Sequence, residues 1–129
     1  MHGEVVGLGA CNIDFIKKVS RFAGPDDEVD VKKLFLSIGG SASNFTVGIS
    51  RLNVNAGIIS RIGDDYFGQL AEEEFKKEGV NIKRLCKVDE KTGMTFIAVE
   101  PNGERSMYAF IGANKKFHLH KEDIEYIKN

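Results

Sequence analysis

At Gly39-Gly40 the hydrophobic spacing of the chain changes period, and that switch limits the possible folds more than any other feature. Before it, Val29, Val31, Leu34, Leu36 and Ile38 alternate as a strand does. After it, Ala42, Phe45, Ile49 and Leu52 recur at helical spacing, which predicts a helix with that stripe facing inward. Asn53 follows the last of these residues, where a left-handed cap is expected and asparagine is the best choice after glycine. Residues 56–62 (AGIISRI) read as a buried strand that Gly63 breaks. Asp64 or Asp65 can cap a second helix, whose buried face is Phe67, Leu70, Ala71 and Phe75 and which Gly79 ends. Strand, helix, strand, helix is the βαβ order of a parallel sheet covered by helices, so the class is α/β.

Earlier in the chain, residues 4–8 form a short apolar run ending at Gly9, and residues 13–19 a second extended piece that carries Asp14. Residues 23–28 (AGPDDE) are a turn-rich loop. No element is assigned between Gly79 and Met94. Residues 94–99 and 105–111 then read as two strands joined through Asn102-Gly103, a strong hairpin signal and an antiparallel excursion from the α/β body. A last helix is expected from His120 or Lys121 to Asn129. At 129 residues the chain suits one domain. A net charge of -1 gives no basic footprint for nucleic acid or an anionic membrane. Its apolar runs fall well short of the ~20 residues of a membrane helix, and its first residues lack the basic start of a signal peptide. Cys11 and Cys86 stand at no metal-ligand spacing and are expected to be reduced thiols of a cytoplasmic protein, with no metal site.

Three features point to chemistry. Gly39 and Gly40 remove two Cβ atoms where the chain enters a helix, so a ligand can lie against backbone N–H groups. Asn44, in the first turn, can both donate to and accept from a hydroxyl. Asp14, just past the first strand, supplies an acceptor-only carboxylate, and in open α/β sheets ligands bind beyond the carboxyl ends of strands. Taken singly, each has a plain structural reading: a tight turn, a solvated helix residue, a cap. A dinucleotide site at Gly7-x-Gly9 is set aside, because the third glycine and the helix it needs are absent.

Taken together, Gly39, Gly40, Ala42, Asn44, Thr46 and Gly63 resemble the N-terminal signature of the PfkB family of carbohydrate kinases, the ribokinase-like fold. Asn53 stands where that family usually has glycine or serine. The resemblance continues in "NID" (12–14), in "GDDYFGQLAEEEFKKEGVN" (63–81) and in "TGMTFIAVEPNGERSMYAFIGAN" (92–114). It implies a partial doubly wound parallel sheet with an antiparallel lid, and transfer of the ATP γ-phosphoryl group to a hydroxymethyl group of a sugar or nucleoside. Asp14, Gly39, Gly40 and Asn44 would hold the sugar hydroxyls. Lid strands at about 11–38 and 94–111 would cover the ligand, with Thr95 and Ala109 facing it, although a one-residue slip would reverse both. The same resemblance implies a cytoplasmic homodimer joined through lid strands. It implies ATP and Mg2+ in the complete enzyme and neither on this segment, because the family's catalytic Gly-Ala-Gly-Asp motif has no match here. Residues 1–129 are thus expected to be the N-terminal, substrate-binding part of such a kinase, inactive alone. The alternative is a truncated, catalytically inactive sugar-binding or dimerisation module. Ser41, where some ribokinases have lysine, leaves the sugar contact there undefined. "GAN" at 112–114 leans toward ribose or nucleoside members. Phe96, Tyr108 and Phe110 are open to two readings, nucleobase stacking or packing, with packing ahead.

Overall fold

The computed structural model describes residues 4–128. The chain runs β1 (Val5–Leu8), β2 (Asn12–Val19), β3 (Val31–Gly39), α1 (Ser41–Arg51), β4 (Ala56–Gly63), α2 (Tyr66–Lys77), β5 (Asn81–Val88), β6 (Gly93–Val99), β7 (Arg105–Phe110), a 3-10 turn (Gly112–Lys116) and α3 (Lys121–Lys128). β1, β4 and β5 form a parallel sheet with β4 in the middle, every one of its residues buried. The other four strands form a mixed sheet in the order β3-β2-β6-β7. β2 pairs antiparallel with β3 but parallel with β6, so the expected hairpin is half of a larger sheet that also recruits the early strands.

The core sits where the two sheets meet α1 and α2. Cys11, Ile13, Ile58, Ile62, Ala71 and Phe75 are its fully buried members, with Phe15, Ile38 and Phe67 packed against them. Phe15 stacks on Phe96 at 5.0 Å between centroids and meets Phe67 of α2 edge-on at 5.3 Å, which ties the mixed sheet to the body.

α1 keeps the expected period, but its inward face is rotated from the expected one, keeping Ala42 and losing Phe45 and Leu52. Ala42, Ser43 and Thr46 are buried, whereas Phe45 and Leu52 are 50% and 72% exposed. The reason is close approach. A Cβ at Gly7 would overlap the Thr46 hydroxyl, and only small side chains fit between α1 and β1. Asn53 does take the left-handed conformation, with φ 63°.

β5 was not expected. Its sequence NIKRLCKV breaks apolar alternation with four basic or polar residues, and most of it is half-buried at a sheet edge. Pairing with β4, rather than its own pattern, makes it a strand.

Asp65, not Asp64, caps α2: its carboxylate accepts from Gly68 N–H at 2.8 Å. The same carboxylate accepts from the backbone N–H and the hydroxyl of Thr92 at 2.9 and 2.7 Å. That hydroxyl accepts in turn from Gly63 N–H. Burial would raise the Asp65 pKa, but the bonds from Thr92 and Gly68 hold it below the usual carboxylate range. The start of α2 is thereby fixed to Thr92, one residue before the mixed sheet resumes at β6.

Candidate functional site

Side chains alternate across a strand, so Asn12, Asp14 and Ile16 share one face of β2 while Ile13, Phe15 and Lys17 share the other. Register carries the first face across the sheet: Ser37 of β3, Asp14, Thr95 of β6 and Ala109 of β7 stand in one row. The next row toward the body is Gly39, Asn12 and Gly93. Phe96, Tyr108 and Phe110 belong to the opposite face, where Phe96 packs on Phe15. Stacking of those rings on a ligand beside Asp14 is ruled out by this parity, and the packing reading holds for Phe96.

The Asp14 carboxyl leans over Gly39, and a Cβ there would overlap all three of its terminal atoms. It is half-buried and takes no hydrogen bond from any described residue. Burial alone raises its pKa above the ordinary value. A carboxylate placed partly out of water with its acceptor positions open is arranged for a donor from outside the chain. Gly40 begins α1 with φ 95° and no side-chain cap, so first-turn amides are left for another partner. A side chain at Gly40 is excluded doubly, since its Cβ would lie 2.6 Å from Ala10 O.

Asn44 lies in the first turn of α1, its N–H bonded to Gly40 O at 3.0 Å. Its side chain is exposed and lines a cleft of about 270 Å3 with Ser37, the cross-strand neighbour of Asp14. Among the described residues no hydrogen bond joins Asn44 to Asp14. A cavity of about 860 Å3 lies elsewhere, between Tyr66 and Phe67 of α2, Lys87 of β5 and Met94, on the far face of the mixed sheet. In the Asp14 row, Ser37 and Ala109 are exposed, and Asp14 and Thr95 are half-buried. Within residues 4–128 no group of three or more His, Cys, Asp or Glu could hold a metal ion. Cys11 and Cys86 are free thiols, and burial pushes the Cys11 pKa up to about 12.

Two residues that the motif reading passed over belong to this face. Ser37 flanks Asp14 on β3, and Asn12 precedes it by one alternation. The period-two spacing of Asn12 and Asp14 was visible in the sequence. The partner that fixes Asn12 was not, because Asn114 is 102 residues away.

Comparison with known proteins agrees with this architecture. Residues 3–129 match the model of the pfkB family carbohydrate kinases. A ribokinase from Staphylococcus aureus is 31% identical over 116 residues, which are 88% of this chain and 38% of that protein. A 5-dehydro-2-deoxygluconokinase from Clostridium perfringens is 34% identical over 96 residues, 71% of this chain and 28% of its own length. Among solved structures, Arabidopsis thaliana ribokinase complexed with ribose and ATP superposes with a TM-score of 0.87 at 23% identity, over 99% of this chain and 43% of that one. Ribokinase from Thermotoga maritima superposes with a TM-score of 0.77 at 26% identity, over 86% and 37%. The chain thus spans less than half the length of these relatives, and over that span it belongs to the PfkB family of carbohydrate kinases.

Proposed function

We propose that this chain is the substrate-binding portion of a kinase that transfers the ATP γ-phosphoryl group to a hydroxymethyl group of a sugar or nucleoside. The observation that carries the reading is the open, half-buried carboxylate of Asp14, seated over Gly39 and in one row with Ser37, Thr95 and Ala109. Asp14 accepts from ligand hydroxyls. The N–H groups at the start of α1 donate to ligand oxygens beside Gly40, and Asn44 closes that side. The mixed sheet serves as the lid, with Thr95 and Ala109 on its ligand face, and limits water at the accepting hydroxyl. Ribose is the first ligand to try, since ribokinases are among the relatives; a nucleoside is the next.

ATP and Mg2+ act in the complete enzyme and are held there by residues other than those of this segment, whose polar groups serve the sugar. Without a general base or a phosphate clamp the 129-residue chain is expected to transfer no phosphate, because positioning without charge stabilisation leaves out most of the catalysis. The exposed apolar residues of the mixed sheet, among them Leu34, Phe35, Met107 and Tyr108, support pairing of two lids in a homodimer. The second reading, a sugar-binding or dimerisation module without catalysis, differs only in the complete protein: ATP-dependent phosphorylation by the full-length gene product separates the two.

The test is calorimetric titration of the chain with ribose, adenosine, fructose and 2-keto-3-deoxygluconate, with Asp14→Ala as control. We expect one of them to bind saturably and the variant to lose about 10- to 100-fold in affinity, the effect of one or two charge-assisted hydrogen bonds. Binding should also weaken as pH falls through the raised Asp14 pKa, because the protonated carboxyl gives up acceptor capacity. Equal affinity in Asp14→Ala would remove the reading.

A further inference from the structure

We propose that Asn114 is a positioning residue of the ligand site, setting which end of the Asn12 side-chain amide is presented beside Asp14; the proposal rests on the reading of that site given above. Asn114 lies in the 3-10 turn that follows β7, and its backbone bonds are local, yet its side chain reaches Cys11 and Asn12 at the base of the mixed sheet. Its Oδ1 accepts from Cys11 N–H at 3.0 Å. Its Nδ2 donates to Asn12 Oδ1 at 2.7 Å, with longer contacts to the carbonyls of Ile111 at 3.1 Å and Cys11 at 3.3 Å.

These partners leave no freedom in how either amide is turned. A backbone N–H can only donate, so the Asn114 atom facing Cys11 N must be oxygen. The other end is then an NH2 group that faces three acceptors and requires oxygen from Asn12. With Oδ1 engaged, the Asn12 Nδ2 and its two hydrogens are turned away from the clip and meet no described partner. Asn12 is half-buried and lies on the same face of β2 as Asp14, about 7 Å further toward the body at strand spacing. The face therefore presents a donor and then an acceptor, the pairing that two hydroxyls of one sugar ring can satisfy together.

Gly93 makes room for this. It is the β6 partner of Asn12, and a Cβ there would lie 2.5 Å from Asn12 Oδ1 and overlap Asn114 Nδ2. Gly112, with φ 53°, turns the chain so that Ala113 N–H bonds Lys91 O at 2.7 Å and Asn114 reaches inward. The exit of β7 is thus wired to the entry of β2.

Asn114→Asp tests the polarity argument with almost no change in shape. A carboxylate still accepts from Cys11 N–H but cannot donate to Asn12, so the Asn12 amide is expected to reverse and show its oxygen to the ligand. Ribose titration of the whole chain, followed by calorimetry and by the 15N side-chain resonances of asparagine, is run in two backgrounds. With Asn12 present, Asn114→Asp should weaken ribose binding about tenfold and shift the Asn12 NH2 pair before any ligand is added. With Asn12→Ala already in place, Asn114→Asp should change the affinity less than about twofold, since a residue acting through Asn12 has nothing left to act on. Equal losses in both backgrounds, or no loss with Asn12 present, would overturn the proposal. Should Asn114→Asp not fold, Asn12→Ala decides alone: a tenfold loss supports the proposal and wild-type affinity overturns it. Failure of the wild-type chain to bind any sugar brings down the reading of the Asp14 site, and this proposal with it; normal wild-type binding with an inert Asn114 brings down only the proposal.

Discussion

Asp123→Ala is expected to destabilise the chain by about 3–5 kcal/mol, the largest effect of any single substitution considered. Asp123, in α3, and Arg61, in the central strand β4, are both completely buried and joined at 2.6 Å. Arg84 of β5 bonds the other carboxylate oxygen at 2.7 Å, and His120 N–H donates to Asp123 at 2.8 Å. The Arg61 guanidinium also donates to the carbonyls of Ser60 and His118 and lies 5.0 Å from the centre of the Phe117 ring. Its Nε is buried with no partner, so the arrangement already carries one unmet donor. Removing the carboxylate leaves a buried cation among apolar strands. Urea unfolding should show the loss, and a heat-unfolding midpoint roughly 10–20 °C lower should accompany it. A cost below about 1 kcal/mol would mean that Asp123 does not hold α3 to the sheets. The double variant Arg61→Met/Asp123→Leu should recover part of the loss, because the fully buried cation goes with its partner and only the partly exposed Arg84 is left without one.

The same cluster sets the acid behaviour of the fold. Burial would raise the Asp123 pKa, but the His120 N–H and the Arg84 and Arg61 side chains override it and bring it down to about 2. An unfolded aspartate titrates near 3.9, so the folded value is the lower one. The stabilisation is therefore complete above about pH 4 and fades as the pH falls toward 2, a loss of about 2–3 kcal/mol from this one group.

Gly39→Ala and Gly40→Ala are expected to separate binding from stability. At Gly39 the backbone is ordinary and the three atoms nearest the new methyl all belong to the Asp14 side chain, which can rotate away. Stability should fall by no more than about 1 kcal/mol, yet sugar affinity should drop about tenfold or more, because the carboxylate leaves its seat. At Gly40 the obstacles are a φ of 95° and the Ala10 carbonyl at 2.6 Å, which cannot step aside. There the cost should fall on folding, about 1–3 kcal/mol or more. Unfolding and ribose titration of both variants check the contrast. Unchanged affinity in a folded Gly39→Ala would show that the position of Asp14 over Gly39 is not used.

What could be read from residues alone was whatever local spacing controls. The period change at Gly39-Gly40, the left-handed Asn53, the capping aspartate before α2 and the Asn102-Gly103 turn are each decided within a few residues, and each was legible. The inward face of α1 was legible at Ala42 but not beyond it, because Phe45 and Leu52 lost to Ser43 and Thr46 through the close approach of Gly7, 39 residues before Thr46 in the sequence. β5 stayed hidden because β4 supplies its hydrogen bonds. Asp14 and the glycine pair could be named from their neighbours, and the row linking Asp14 to Thr95 and Ala109 needed the parallel pairing of β2 with β6. Arg61 drew no reading of its own inside an apolar strand, and Asn114 entered only as the end of a motif. Their roles depend on partners 62 and more than 100 residues away.

The most direct test of the central claim is the 15N–1H correlation map of the assigned chain during titration with ribose. The account predicts saturable shifts at Asp14, Gly39, Gly40 and Asn44, with Thr95 and Ala109 moving in step on the strands across from Asp14. Shifts gathered instead around Tyr66, Lys87 and Met94, at the large cavity on the other face, or no shifts with any sugar in the folded chain, would contradict it.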